Sequence, residues 1–271
     1  MSQTRFVPRL RTLAVAVSLA LATLAASADT ITDNIIGNYE LFGGSYANTL
    51  TGSAALPALN VIASSGTVGF VTTGTAPGWF WSGASTPGTG LTVTGLPANE
   101  GGNFGNYSIG MRLTLGQVSG YRRLIYFKSS DFGQYVHDGA FRFYDGGFNN
   151  PTGGSLTANT TVDFVLTRNA ATKEVKAYLN GSSTPIFTFT DGSNEAVTTA
   201  DRTLQFFRDD GNDFSPSGAA ASIRIWKAPL TAADIPTAMT AMVPEPATAT
   251  LATIAPAGLL LLRLRKARRL G

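Results

Sequence analysis

With 271 residues and no cysteine, the chain has no disulfide framework, no thiol nucleophile and no thiolate metal site, so its stability must come from a buried core. The formal net charge of +3 belongs to the two ends. Of twenty Lys and Arg, three lie in residues 1–28 and five in 243–271, where the one acid is Glu245. Residues 29–242 keep twelve basic against sixteen acidic side chains, which excludes the clustered positive charge that nucleic-acid binding requires.

At the start of the chain, Arg5, Arg9 and Arg11 precede an uncharged apolar stretch from Leu13 to Leu24, and Ala26-Ser27-Ala28 forms a small-residue cleavage site before Asp29. A run of about a dozen apolar residues is short of the roughly twenty that span a bilayer. Residues 1–28 are therefore expected to be a signal peptide, removed by signal peptidase.

Residues 29–102 are rich in Gly, Ser, Thr and Ala and only weakly patterned. They are expected to supply the opening strands of the sheet system that follows. Within them Trp79-Phe80-Trp81 would set two indoles on one face of a strand.

From Tyr107 the apolar period becomes two: Tyr107, Ile109, Met111, Leu113 and Leu115 alternate with Ser108, Arg112 and Thr114, which predicts a strand with one buried and one wet face. The alternation returns at Val162, Phe164 and Leu166, at Val175, Ala177 and Leu179, at Phe187 and Phe189, at Leu204 and Phe206, and at Ala221, Ile223 and Ile225. Turns are expected at Asn169 to Thr172, Asn180-Gly181 and Asp191-Gly192. Many short strands with such turns predict an antiparallel β-sandwich or barrel. One helical turn is expected at Thr231 to Ile235, with Thr231 as its cap and Asp234 three residues on.

Residues with chemical potential are few. The single histidine, His137, is followed by Asp138; neighbours on a strand or turn point apart, so the pair is read as an exposed loop rather than a base and its orienter. Glycosidase chemistry needs two carboxylates across one bond, and Glu40, Glu100, Glu174 and Glu195 are isolated in sequence. Asp209, Asp210 and Asp213, bent around Gly211, offer the hard oxygen ligands that Ca²⁺ prefers, although no Glu closes a twelve-residue loop as in an EF-hand. Trp79, Trp81 and Tyr135 are the candidate sugar contacts, with Tyr121, Tyr126, Tyr144 and Trp226 as possible additions to a stacking surface.

The tail reads Val243-Pro244-Glu245-Pro246-Ala247-Thr248, then an apolar run from Ala247 to Leu262 broken by Pro256, then Arg263, Arg265, Lys266, Arg268 and Arg269. An extended Pro-Glu-Pro, an apolar segment for lipid and a basic end for the cytoplasmic side form a membrane stop. At about 1.5 Å per residue a sixteen-residue helix reaches only ~24 Å, a short and weakly held anchor. This order resembles the PEP-CTERM sorting signal of exopolysaccharide-making Gram-negative bacteria, with Pro244, Glu245 and Pro246 on the motif. The resemblance implies cleavage by an exosortase-type enzyme and delivery to the cell surface, outer membrane or extracellular matrix.

Residues 106–235 resemble the concanavalin A-like jelly roll, in particular its laminin-G-like group. The resemblance rests on Tyr107 to Leu115 followed by Tyr121 to Phe127, on the pair Val162–Arg168 and Val175–Gly181, and on Ala221–Trp226 before Pro229-Leu230-Thr231. It implies a jelly-roll sandwich and, because related domains hold calcium at the sheet rim, a role for the acidic run. Hydrolases on this fold carry a Glu-x-Asp-x-x-Glu string or a near variant, which is missing here. The expectation is a non-catalytic surface or matrix protein that binds glycan or another matrix component, with a glycan-cleaving enzyme or a purely structural matrix component as alternatives.

Overall fold

The computed structural model describes residues 31–62, 67–71, 77–82, 89–128, 131–144, 151–208, 217–240 and 242. The expected signal peptide, the sorting motif at Pro244, Glu245 and Pro246, and Asp209, Asp210 and Asp213 all lie outside these residues. Among the described residues no helix is long and apolar enough to cross a membrane.

The chain folds into two antiparallel sheets. The strands among the described residues, in chain order, are β1 (Ile35–Tyr39), β2 (Asn60–Ile62), β3 (Thr67–Val71), β4 (Gly78–Ser82), β5 (Gly90–Val93), β6 (Tyr107–Leu115), β7 (Tyr121–Tyr126), β8 (Gly133–His137), β9 (Ala140–Tyr144), β10 (Thr152–Gly153), β11 (Thr161–Arg168), β12 (Glu174–Leu179), β13 (Phe187–Thr190), β14 (Leu204–Phe206) and β15 (Ser217–Trp226). The first sheet has the order β13-β12-β11-β6-β15-β4-β3, with β1 added on β15; the second has the order β10-β9-β8-β7-β14-β5-β2. Strands close in sequence are often distant in their sheets, and this crossing order binds the weakly patterned N-terminal strands to the C-terminal β14 and β15.

Between the sheets lies the main core. Ile109, Met111 and Leu113 of β6 and Phe164 and Leu166 of β11 meet Val136 of β8 and Phe141 and Phe143 of β9, with Phe141 stacked on Phe164 at a centroid distance of 4.9 Å. The period-two pattern thus sets the inner face, and removing this apolar surface from water is the main stabilising term. On β15 the parity breaks. A bulge between Ala220 and Ser222 puts Ala220, Ile223 and Ile225 in the core, where simple alternation had placed Ala221.

The expected wet face of β6 is covered. Ser108 and Gly110 are buried beneath Trp226 and Met242, and a Cβ at Gly110 would come within 3.0 Å of the Met242 sulfur. The cover is a second cluster of Leu230, Ile235, Ala238 and Met239 against Val165 and Tyr178, carried by the helix α1 (Ile235–Thr240). The helix begins at Ile235 rather than spanning Thr231 to Ile235, and Thr231 does not cap it: the Thr231 amide and hydroxyl donate to Asp234 Oδ2 at 2.8 and 2.7 Å, and the Asp234 carbonyl accepts from the Ala238 amide.

The turns follow the Gly, Asn and Asp signals. Asn169 Oδ1 accepts from the amides of Ala171 and Thr172, and Asn180 and Gly181 both adopt positive φ. Asp191 is more than a turn residue. Its buried carboxylate accepts from the Glu195 and Ala196 amides and pairs at 2.8 Å with Arg168, whose guanidinium also binds Glu100 and the Gly105 carbonyl. This ion network pins the 99–106 and 191–198 connections to the end of β11.

Candidate ligand-binding site

The outer face of the second sheet carries an aromatic notch. On β8 and β9 the residues Val136, Phe141 and Phe143 turn inward, so the alternate positions Tyr135, His137, Arg142 and Tyr144 turn outward. Tyr121 and Arg123 lie opposite His137 and Tyr135, and a bulge between Arg123 and Ile125 lets Leu124 and Ile125 both enter the core while Tyr126 returns to the outer face. Asp138 and Gly139, at φ of 48° and 80°, close the β8–β9 hairpin as a two-residue primed turn, which fixes this register.

Gly133 opens the notch. It stands in register between Tyr126 and Tyr144, where a Cβ would lie 2.3 Å from the Ile125 carbonyl oxygen, so only glycine fits and the face has a gap among its tyrosines. Tyr121, Tyr135 and Tyr144 meet edge to face, with centroids 5.7, 6.0 and 6.2 Å apart and interplanar angles of 75–86°. With Asp131 they line a hollow of about 110 Å³. Tyr135 is its floor, at 1% exposure; Tyr121 and Tyr144 are the half-buried walls.

Behind the floor lies a buried cation. The Arg123 side chain is fully enclosed, donates to the Tyr135 hydroxyl and to Asp131 Oδ1, and stacks over the rings of Tyr126 and Tyr135 at 4.7 and 5.0 Å. The Tyr135 hydroxyl donates to the same Asp131 oxygen at 2.8 Å. Arginine, tyrosine and carboxylate thus lock the floor, while the Asp131 side chain, 57% exposed, brings an acceptor to the mouth. At the rim, His137 stacks on Tyr121 with centroids 3.9 Å apart, and its Nε2 is 3.5 Å from Asp138 Oδ2, an ionic contact only when the imidazole is protonated. His137 is therefore half-buried on a strand rather than exposed in a loop, and it reaches Asp138 because the turn bends that residue back.

This arrangement offers three aromatic surfaces, hydroxyls and a carboxylate acceptor, which suits a ligand with both apolar faces and hydroxyl donors. Of the three sequence-predicted contacts, Tyr135 lies in the notch. Trp79 and Trp81 do not: at 0% and 2% exposure they are packed in the main core, stacked against Phe207 at 6.1 and 4.8 Å, and present no face to a ligand. Trp226 is likewise buried under α1, its Nε1 donating to the Ile31 carbonyl. Asp131 and Arg123 were missed by sequence reasoning. The parity of β8 and β9, where tyrosine, histidine and arginine alternate with Val136, Phe141 and Phe143, signals the outer tyrosines but not Asp131 or Arg123, which lie off these strands. Among the described residues, no group of three His, Asp or Glu side chains is placed to hold a metal.

No family model and no curated protein matches the chain. Solved structures do. Domain 4 of AbnA, a GH43 extracellular arabinanase from Geobacillus stearothermophilus solved in complex with arabinotriose, superposes with a TM-score of 0.53 at 12% identity, over 76% of this chain and 98% of that one. A botulinum neurotoxin type C structure, described by its dependence on two ganglioside molecules for cell entry, gives 0.56 at 15% identity over 80% of this chain and 53% of that one. The serotype C1 binding domain gives 0.56 at 14% identity, over 79% and 53%. The chain thus spans nearly all of the arabinanase domain and about half of the toxin structures. At these identities the likeness establishes the sandwich fold.

Proposed function

We propose that the protein is an exported, non-catalytic glycan-binding protein of the cell surface or extracellular matrix, and that the notch of Tyr121, Tyr135 and Tyr144 is its sugar site. The observation that carries this reading is the set of three mutually perpendicular tyrosine rings on the outer face, opened by Gly133 and edged by Asp131. Sugar rings have apolar faces and a rim of hydroxyls, so aromatic walls and a carboxylate acceptor match both parts. The fold is that of a domain solved with arabinotriose, which supports the same reading. The jelly-roll topology of the laminin-G-like group, suggested by residues 106–235, agrees with it.

Against catalysis stand the missing carboxylate string and the engagement of Glu100 by Arg168, Glu174 by Lys176 and Glu195 by Lys128. A glycan array of bacterial polysaccharides, with reducing-end release assayed in parallel, tests both parts. Binding that Tyr144→Ala weakens, without release, is expected; reducing ends without stable binding would make it an enzyme.

Export and sorting rest on residues 1–28 and 243–271. Signal peptidase and an exosortase-type enzyme are the processing partners, and the 247–262 segment is the transient membrane anchor. Mass spectrometry of surface-released protein should find a chain from Asp29 to the region of Pro244–Ala247. Intact Arg263 to Gly271 on the mature surface form would refute the sorting assignment.

A further inference from the structure

A second cleft lies on the outer face of the first sheet, on the opposite side of the sandwich from the tyrosine notch. Leu166, Val175 and Ala177 turn into the main core, so Thr167, Glu174, Lys176 and Tyr178 turn outward, where the segment 229–232 leading to α1 stands over them. Between this segment and the strands is a cavity of about 280 Å³, close to the lower end of the range of small-ligand pockets.

Its lining is amphipathic and electrically balanced. Tyr178 and Leu230, at 2% and 4% exposure, form an apolar floor continuous with the cluster under α1. Thr167, Asn169, Glu174 and Lys176 form a polar rim, and Lys176 Nζ lies 2.7 Å from Glu174 Oε2, so the two charges cancel. The Tyr178 ring is almost wholly enclosed and lines the cavity. A phenol hydroxyl can donate to or accept from a ligand seated on this floor.

We infer that this cleft is a second saccharide site, taking one or two rings of a neutral glycan, with Tyr178 as floor and hydroxyl donor and with Asn169, Lys176 and Glu174 bonding the sugar hydroxyls. The balanced ion pair gives no preference for a charged ligand. It does not rest on the tyrosine notch. If both sites bind, their placement on opposite faces lets one molecule bridge two glycan chains.

The test is residue-resolved NMR of the purified full-length protein titrated with arabinotriose, xylotriose and cellotriose, in the native sequence, in Tyr121→Ala/Tyr144→Ala and in Tyr178→Phe. The expected result is that at least one trisaccharide shifts the amides of residues 167–178 and 230–232, that it still does so in Tyr121→Ala/Tyr144→Ala, and that Tyr178→Phe weakens this binding about three- to tenfold. Tyr178→Phe keeps the ring and hence the floor, and an unchanged thermal midpoint checks this. If no trisaccharide moves these amides, or if Tyr178→Phe binds as tightly as the native protein, the second site is overturned. Shifts around Tyr121 and Tyr144 report the notch separately, so failure of one site is not mistaken for failure of the other.

Discussion

Strand β4 and the β7–β9 strands present the same raw material, aromatic residues at alternate positions, and use it in opposite ways. In β4, Trp79 and Trp81 turn inward onto Phe207 and Phe80 faces away. In β8 and β9, Val136, Phe141 and Phe143 fill the core and the tyrosines are left outside. What separates them is the neighbour of opposite parity: where it is apolar and unequivocally core, the polar-tipped aromatic must face out. Where all three successive residues are aromatic, as in Trp79-Phe80-Trp81, alternation alone does not choose the face. The outcome there follows from packing, since the Trp81 ring lies over Gly218, where even a Cβ would come within 2.4 Å of it.

The largest effect that sharpens this contrast is on stability. Trp81→Ala removes a buried indole from the main core and should cost about 3–5 kcal/mol in urea unfolding, without any specific effect on sugar recognition beyond loss of folded protein. A cost below about 1 kcal/mol would mean that the indole is not core. Tyr144→Ala, on the outer face, should change stability by no more than about 1 kcal/mol while weakening glycan binding roughly tenfold, measured by titration calorimetry.

The inner tyrosines also leave a signature in pH. Burial holds the phenols of Tyr39 and Tyr107 well above their ordinary value, both at 0% exposure and donating to the Pro57 and Ala196 carbonyls. In the unfolded chain they ionise near ~10, so the stability they contribute is complete below that pH and is lost as pH rises through it toward the folded values. Urea midpoints should fall above pH ~10, and Tyr107→Phe should flatten that fall even though it loses a hydrogen bond at neutral pH. At the acid end, desolvation raises the Asp163 carboxyl despite Arg112 at 2.9 Å. Its contribution is therefore greatest below its unfolded value of about 3.9 and declines as pH rises through the folded one, a slope that Asp163→Asn should remove.

A further effect, dependent on calcium concentration, concerns the acidic run that follows Phe206 in the sequence. We propose that Asp209, Asp210 and Asp213 bind Ca²⁺, which would relieve their mutual repulsion. Thermal unfolding with calcium and with chelator should then differ, by about 2.7 kcal/mol at a hundredfold excess over the dissociation constant. Equal midpoints at millimolar calcium would leave the run as solvated surface.

Much of the sandwich was legible in the sequence because period two is a direct consequence of strand geometry. Tyr107 to Leu115 and the β11–β12 hairpin with its Asn169 turn have the expected bounds or nearly so. Two features were not legible. The bulge at Ala220/Ser222 shifts parity within one strand, and the cover of α1 buries Ser108 and Gly110 on a face that looks polar by composition. The site was legible at its tyrosines, Tyr121, Tyr135 and Tyr144, but not at its polar edge. Asp131 and Arg123 belong to it because the antiparallel β7–β8 pairing brings them together in space, while in sequence they stand eight residues apart.

The central claim, that the outer tyrosines rather than the core tryptophans recognise glycan, is tested most directly by a glycan array comparing the native protein with Tyr121→Ala/Tyr144→Ala. The account predicts that the double variant keeps the native unfolding midpoint to within a few degrees and loses its strongest glycan signals. Undiminished signals from a folded double variant would contradict it.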